Sequence, residues 1–146
     1  MSVLHSPEDY ELFLYTLAER FRSIRQSTTV LARRGATLGR VFGEPIFDHG
    51  YRVTVRARLL FDRLPETIDW YGYELWCGDE KLCCYDPQPH PCIPALQSSH
   101  PHHKHVPPNM KHNRIVAPLM SFTKENISTL IGEIEAAIAT AQPSSQ

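Results

Sequence analysis

The sequence predicts an α+β fold: an antiparallel sheet of about four strands flanked by an N-terminal and a C-terminal helix, with a long Pro/His-rich loop. Three observations carry that expectation. Apolar residues recur at helical spacing near both ends, apolar and polar residues alternate strictly at the centre, and seven prolines crowd between Pro87 and Pro108. The 146 residues suit a single domain, 1–146, long enough to bury its own core.

The first helix opens at Ser6-Pro7-Glu8-Asp9. Serine caps, proline suits the first turn, and two acids face the positive end of the helix dipole. Tyr10, Phe13, Leu14, Leu17, Phe21 and Ile24 then recur on one stripe, which predicts a helix running to about Gln26. From Thr28 to Phe47 the reading stays open. Thr28, Thr29, Val30 and Leu31 favour a strand or a continued helix, and Gly35, Gly39 and Gly43 weaken either choice.

After the turn signal Asp48-His49-Gly50, residues Tyr51 to Phe61 alternate with Arg52, Thr54, Arg56, Arg58, Leu60 and Asp62. This is the clearest period-two pattern in the chain. A second strand is expected from about Thr67 to Cys77, and Gly78-Asp79 turns it into a third, Glu80 to Tyr85. Short connections make the three a meander. The proline density of the next segment excludes a regular helix. A final helix is expected to open near Ser121 or Thr123 and to bury Ile127, Leu130, Ile131, Ile134 and Ile138. Gln142 to Gln146 read as a frayed tail.

Composition narrows the class. Apolar residues at 42% and aromatics at 10% argue against disorder. No apolar run approaches the roughly 18 residues of a membrane helix. The first residues lack the basic-then-apolar layout of a secretion signal. The 4 cysteines include the adjacent Cys83 and Cys84 and form no spaced disulfide framework, so a reduced, cytoplasmic setting is expected. The net charge of −1 conceals segregation. Ten arginines lie between Arg20 and Arg63, opposed there only by Glu44, Asp48 and Asp62. A local positive field of this kind attracts an anionic partner, and the planar guanidinium matches phosphate.

Two constellations could carry chemistry. On an extended strand Arg52, Arg56 and Arg58 share a face, with Glu74 of the next strand a candidate partner. They read as an RNA-binding surface, or as an ordinary solvated face. The proline-rich segment reads Tyr85-Asp86-Pro87-Gln88-Pro89-His90, then Pro101-His102-His103-Lys104-His105, and 6 of the 8 histidines lie between His90 and His112. If 102–105 are extended, His103 and His105 share one side while His102 and Lys104 share the other. Imidazoles titrate near neutrality and can act as base and acid. Lys104 and Arg114 could offset charge on a phosphoryl group, and Asp86 could orient an imidazole. Such a set cleaves RNA without a metal. Two other readings stand beside it: zinc bound by these histidines with Asp86, Cys77, Cys83, Cys84 or Cys92, and histidines that only tie loop carbonyls together.

At these residues the chain resembles the TumE family, the toxin component of a class of prokaryotic toxin–antitoxin modules. The carrying motifs are Tyr71-Gly72-Tyr73, Tyr85-Asp86, Pro89-His90 and Pro101-His102-His103-Lys104-His105-Val106. Cys84, Pro87 and Pro91 stand where the family pattern has arginine, asparagine and a second histidine. The resemblance implies an intracellular toxin acting on RNA and neutralised by a cognate antitoxin protein. The expected layout is compatible with RelE-like ribonuclease folds, an analogy that assigns no chemistry by itself.

The combined expectation is a type II toxin that acts as a metal-independent endoribonuclease. His102, His103, His105, Lys104, Asp86, Tyr85 and His90 would be catalytic, and Arg52, Arg56, Arg58 and Arg114 would bind RNA. No cofactor, metal or membrane is expected, and a homo-oligomer is left open. The alternative is a non-catalytic interaction module, with or without a stabilising zinc.

Overall fold

The computed structural model describes residues 3–141. The tail expected at Gln142–Gln146 lies outside them. Helix α1 spans Pro7–Tyr15, with the Ser6 hydroxyl accepting from the Asp9 N–H as its N-cap. At Thr16 the hydroxyl donates back to the Leu12 carbonyl, and only a short helix, α2 (Leu17–Arg20), follows. Then come strands β1 (Ile24–Ser27), β2 (Val30–Arg34), β3 (Leu38–Gly43), β4 (Pro45–Phe47), β5 (Tyr51–Leu60), β6 (Ile68–Cys77) and β7 (Glu80–Asp86). A 3₁₀ turn at Pro94–Ser99 interrupts the proline-rich segment. It leads to strands β8 (His103–His105) and β9 (Arg114–Val116), and helix α3 (Ile127–Ala141) closes the described chain.

Among the described residues, nine strands form one antiparallel sheet. One edge of β5 is shared by β3 and β4, which in turn pair with β2 and β1. Its other edge leads through β6, β7 and β8 to β9. Register sorts the side chains by face. Val53, Val55 and Ala57 oppose Leu75, Tyr73 and Tyr71, and all are buried. Arg52, Thr54, Arg56 and Arg58 oppose Trp76, Glu74, Gly72 and Trp70 on the other side. Helices α1 and α3 both cover the first face, where Tyr10, Phe13, Leu14, Leu130, Ile131 and Ile134 join the sheet in one core. Buried apolar area of this kind contributes roughly 25 cal/mol per Å². No helix among the described residues is long and apolar enough to cross a membrane.

The expected fold class is overturned. The molecule is mostly antiparallel sheet with few helices, in place of a four-stranded sheet flanked by two. The stripe extended to Gln26 actually ends in α2, and Ile24 is buried from β1. Extended backbone buries alternate residues as effectively as a helix buries every third or fourth, so one apolar residue beyond Phe21 cannot distinguish them. Two glycines of the open stretch take positive φ, and the first, Gly35, turns β2 into β3. Gly43 sits at φ +128°, and a Cβ there would lie 2.4 Å from the Thr28 carbonyl oxygen. Strands β8 and β9 span only three residues each, too short for any periodic signal.

Leu59 is 0% exposed at the centre of this core. Leu59→Ala is expected to cost about 2–5 kcal/mol in urea unfolding, whereas Leu119→Ser, at a 73% exposed position, should shift stability by less than about 0.5 kcal/mol.

Candidate functional site

The uncovered face of the sheet is a shelf of guanidiniums and aromatic rings. Arg56 lies over Trp70, its guanidinium carbon 5.8 Å from the ring centroid, and Arg52 over Trp76 at 4.9 Å. Gly72 makes the first pair possible, because a Cβ there would stand 3.0 Å from the Trp70 ring. Across β3 and β5, Arg40 faces Arg58 and Phe42 faces Arg56. Arg52 pairs with Glu44, and Arg58 with Asp69. Glu74, the partner suggested by the sequence, instead holds Lys81 at 3.0 Å. Arg40 and Arg56 have no ionic partner among the described residues. A hollow of about 500 Å³ runs between Arg40, Phe42, Arg56, Arg58 and Trp70.

Beside it lies a second hollow of about 230 Å³, which shares Arg56 and Trp70 and ends at Asp86 and Gln88. The β7–β8 register places Asp86 opposite His103, and Cys84 opposite His105. The alternation of β8 then turns both imidazoles to the shelf side, next to the carboxylate. His103 Nε2 is 3.1 Å from Asp86 Oδ1, His105 Nε2 is 3.0 Å from Asp86 Oδ2, and the two Nε2 atoms are 3.0 Å apart. Each ring's Nδ1 faces a backbone carbonyl, Pro101 for His103 at 3.2 Å and Met110 for His105 at 2.6 Å. A carbonyl only accepts, so both Nδ1 atoms carry the donated proton. His90 meets His103 edge-on, with centroids 4.8 Å apart. His103 is 1% exposed, and burial, opposed by the Asp86 charge, holds it below the usual histidine value. The accessible part is Asp86, whose Oδ1 also accepts from the Gln88 N–H. Arg114 stands opposite His105 in register, its Nε buried without a hydrogen-bond partner.

The remaining candidates are on the other face. Lys104 pairs with Glu133 of α3, and the Tyr85 hydroxyl donates to the same carboxylate. Both line a separate hollow of about 540 Å³ with Leu119 and Met120. His102 packs 4.5 Å from the Phe122 ring, and its Nδ1 shares a 2.6 Å hydrogen bond with the Tyr71 hydroxyl. Burial, with His100 and His103 nearby, lowers the His102 value, while burial raises that of Tyr71. The sheet therefore brings Asp86, His103, His105 and His90 to the arginine side and sends His102, Lys104 and the Tyr85 ring to the helix side.

The family model described as Toxin TumE matches residues 14–138. The chain belongs to the TumE toxin family. No curated protein and no solved structure matches it. A toxin family implies that an antitoxin can be a partner. The stretch of TumE sequence matched runs from α1 into α3 and so contains both the shelf and the Asp86 cluster.

Sequence reasoning missed Arg40, Phe42 and Trp70 as shelf residues and Glu133 as the partner of Lys104. Arg40 and Phe42 alternate with Gly39 and Val41, the only local signal that could have placed them on a strand face. Nothing near Glu133 in the chain points to Lys104.

Cys83 lies under α3, near Glu133, and burial followed by that carboxylate pushes its thiol up to about 12. Cys92 is exposed. A thiol reagent at mildly alkaline pH is expected to label Cys92 in the native TumE chain and to spare Cys83 until denaturant is added. Equal labelling rates by mass spectrometry would contradict the packing of α3 on β7.

Proposed function

We propose that this TumE toxin is an endoribonuclease of a type II toxin–antitoxin module, binding RNA on the arginine shelf and cutting it beside Asp86. The observation that supports this reading is the sharing of Arg56 and Trp70 between two adjacent hollows, one lined by cations, the other ending at the Asp86–His103–His105 cluster. Unpaired guanidiniums at Arg40 and Arg56 suit successive phosphates. Trp70, 40% exposed, and Phe42, 50% exposed, offer rings on which bases stack. Arg52 and Arg58 extend the positive surface while holding their acidic partners, and Arg114 lies beyond His105.

Cleavage by attack of the 2′-hydroxyl requires a proton acceptor, a cation for the crowded phosphorane and a donor for the departing 5′-oxygen. In the metal-free form that the sequence suggests, Asp86 or His105 takes the proton, Arg56 offsets the charge and His90 returns a proton. Buried His103 lines the inner side of the cluster behind Asp86 rather than touching substrate. Tyr85 and Lys104, tied to Glu133, and His102, tied to Tyr71, position β8 from the helix side.

Purified protein should cut single-stranded RNA and arrest growth on expression, with the arrest relieved by a protein antitoxin encoded beside it. Asp86→Asn is expected to lower cleavage at least about 100-fold and to release the arrest. Full cleavage by Asp86→Asn, or arrest with all RNA intact, would overturn the assignment. In binding assays, Arg56→Ala should flatten the log–log salt slope by about 0.7, the share of one single-stranded phosphate. An unchanged slope would remove Arg56 from the RNA path.

A further inference from the structure

We propose that Asp86, His103 and His105 bind one divalent first-row transition-metal ion, of which zinc is the natural probe. Both Nδ1 atoms donate to carbonyls, Pro101 at 3.2 Å and Met110 at 2.6 Å, which turns each ring's Nε2 toward the cluster. The two Nε2 atoms stand 3.0 Å apart, and 3.1 and 3.0 Å from the two oxygens of the Asp86 carboxylate. Four atoms able to ligate a cation thus converge on one point. A cation at the centre satisfies all of them.

The dimensions agree. Nitrogen and oxygen ligands about 2.0–2.1 Å from a zinc-sized ion stand about 2.8–3.4 Å apart at four- or six-coordinate angles. The three residues' ligand atoms lie within 4.8 Å of one another, the one such group among the described residues. The surroundings also match those of metal ligands. A ligating histidine commonly gives its second N–H to a backbone carbonyl, and ligating carboxylates are themselves hydrogen-bonded. Here the carbonyls are those of Pro101 and Met110, and the Asp86 carboxylate accepts from the Gln88 N–H at 2.9 Å. Two imidazoles and one carboxylate favour zinc or a neighbouring transition ion over magnesium or calcium, which prefer oxygen. The cysteines take no part: Cys83 lies on the opposite face, next to Glu133.

Three protein ligands leave a coordination position free, and Asp86 lines the hollow shared with Arg56. The inference goes beyond the ribonuclease reading. A bound ion would keep the same RNA path but remove His105 as proton acceptor, since its lone pair would be committed.

The untagged full chain, stripped with a chelator and dialysed, would be titrated with zinc by calorimetry and with cobalt by visible absorption. One equivalent bound at micromolar affinity or tighter, with cobalt d–d bands, is the expected result. His103→Gln risks unfolding because His103 is buried, so Asp86→Asn and His105→Gln carry the test. Each should weaken zinc at least tenfold with an unchanged circular dichroism spectrum, whereas His100→Gln and His112→Gln, on the loop outside the cluster, should not. No tight equivalent in the parent chain, or an affinity indifferent to Asp86→Asn and His105→Gln, would overturn the proposal. The two readings fail separately. A chain that binds zinc and leaves RNA intact retires the ribonuclease; one that cuts RNA and binds no zinc retires the metal.

Discussion

The pairing of Asp86 with His103 across β7 and β8 is the constraint on which the candidate site depends. Residues on neighbouring strands keep to the same face, and alternation sends each next residue to the other. With Asp86 fixed opposite His103, His105 must join them on the shelf side, and Lys104 must point toward α3. A slip of one residue would exchange the two sets. Two anchors resist that slip. Lys104 is held by Glu133 from the helix side, and His105 by the Met110 carbonyl from the loop side.

The same alternation explains why one face of the sheet is open. Leucine, valine and tyrosine side chains from β5, β6 and β7 are satisfied by α1 and α3, which leaves no helix to cover the arginines. Like charges directly opposite, as at Arg40 and Arg58, are unfavourable in a sheet. Asp69 relieves Arg58, and the tryptophan rings give Arg52 and Arg56 a weakly attractive surface. Arg40 has no such relief. A cation left unpaired beside an open hollow lowers the cost of receiving a phosphate, because no existing ion pair must first be broken.

The two faces divide the work. On the helix side, Tyr71 bonds to His102, Tyr73 to Asn126 just before α3, and Tyr85 to Glu133, so three tyrosines from the sheet register α3 and its lead-in against β6, β7 and the segment before β8. Their phenols are buried and stay protonated. On the shelf side the polar groups are less completely paired, and it is there that Asp86 opens to solvent. Rigidity on the helix face supports the shelf face and holds the Asp86 carboxylate in place without enclosing it.

The sequence by itself determined what a few neighbouring residues can express. The alternation from Tyr51 to Leu60, the capped start at Ser6, the apolar stripe of α3 and the opposition of His103 and His105 to Lys104 were all legible, because each follows from a local repeat of 2.0 or 3.6 residues. The arginine face was legible for the same reason. Tertiary structure decided the rest. It turned the end of the first apolar stripe into β1, recruited the three-residue strands β8 and β9, and chose Glu133 for Lys104 and Asp69 for Arg58. It alone gathered Asp86, His103 and His105 into one triangle. Pairing across strands joins residues that the chain separates by a 16-residue connection, 87–102, and the backbone hydrogen bonds that select its register are the same for every residue type. No local pattern records which partner they choose.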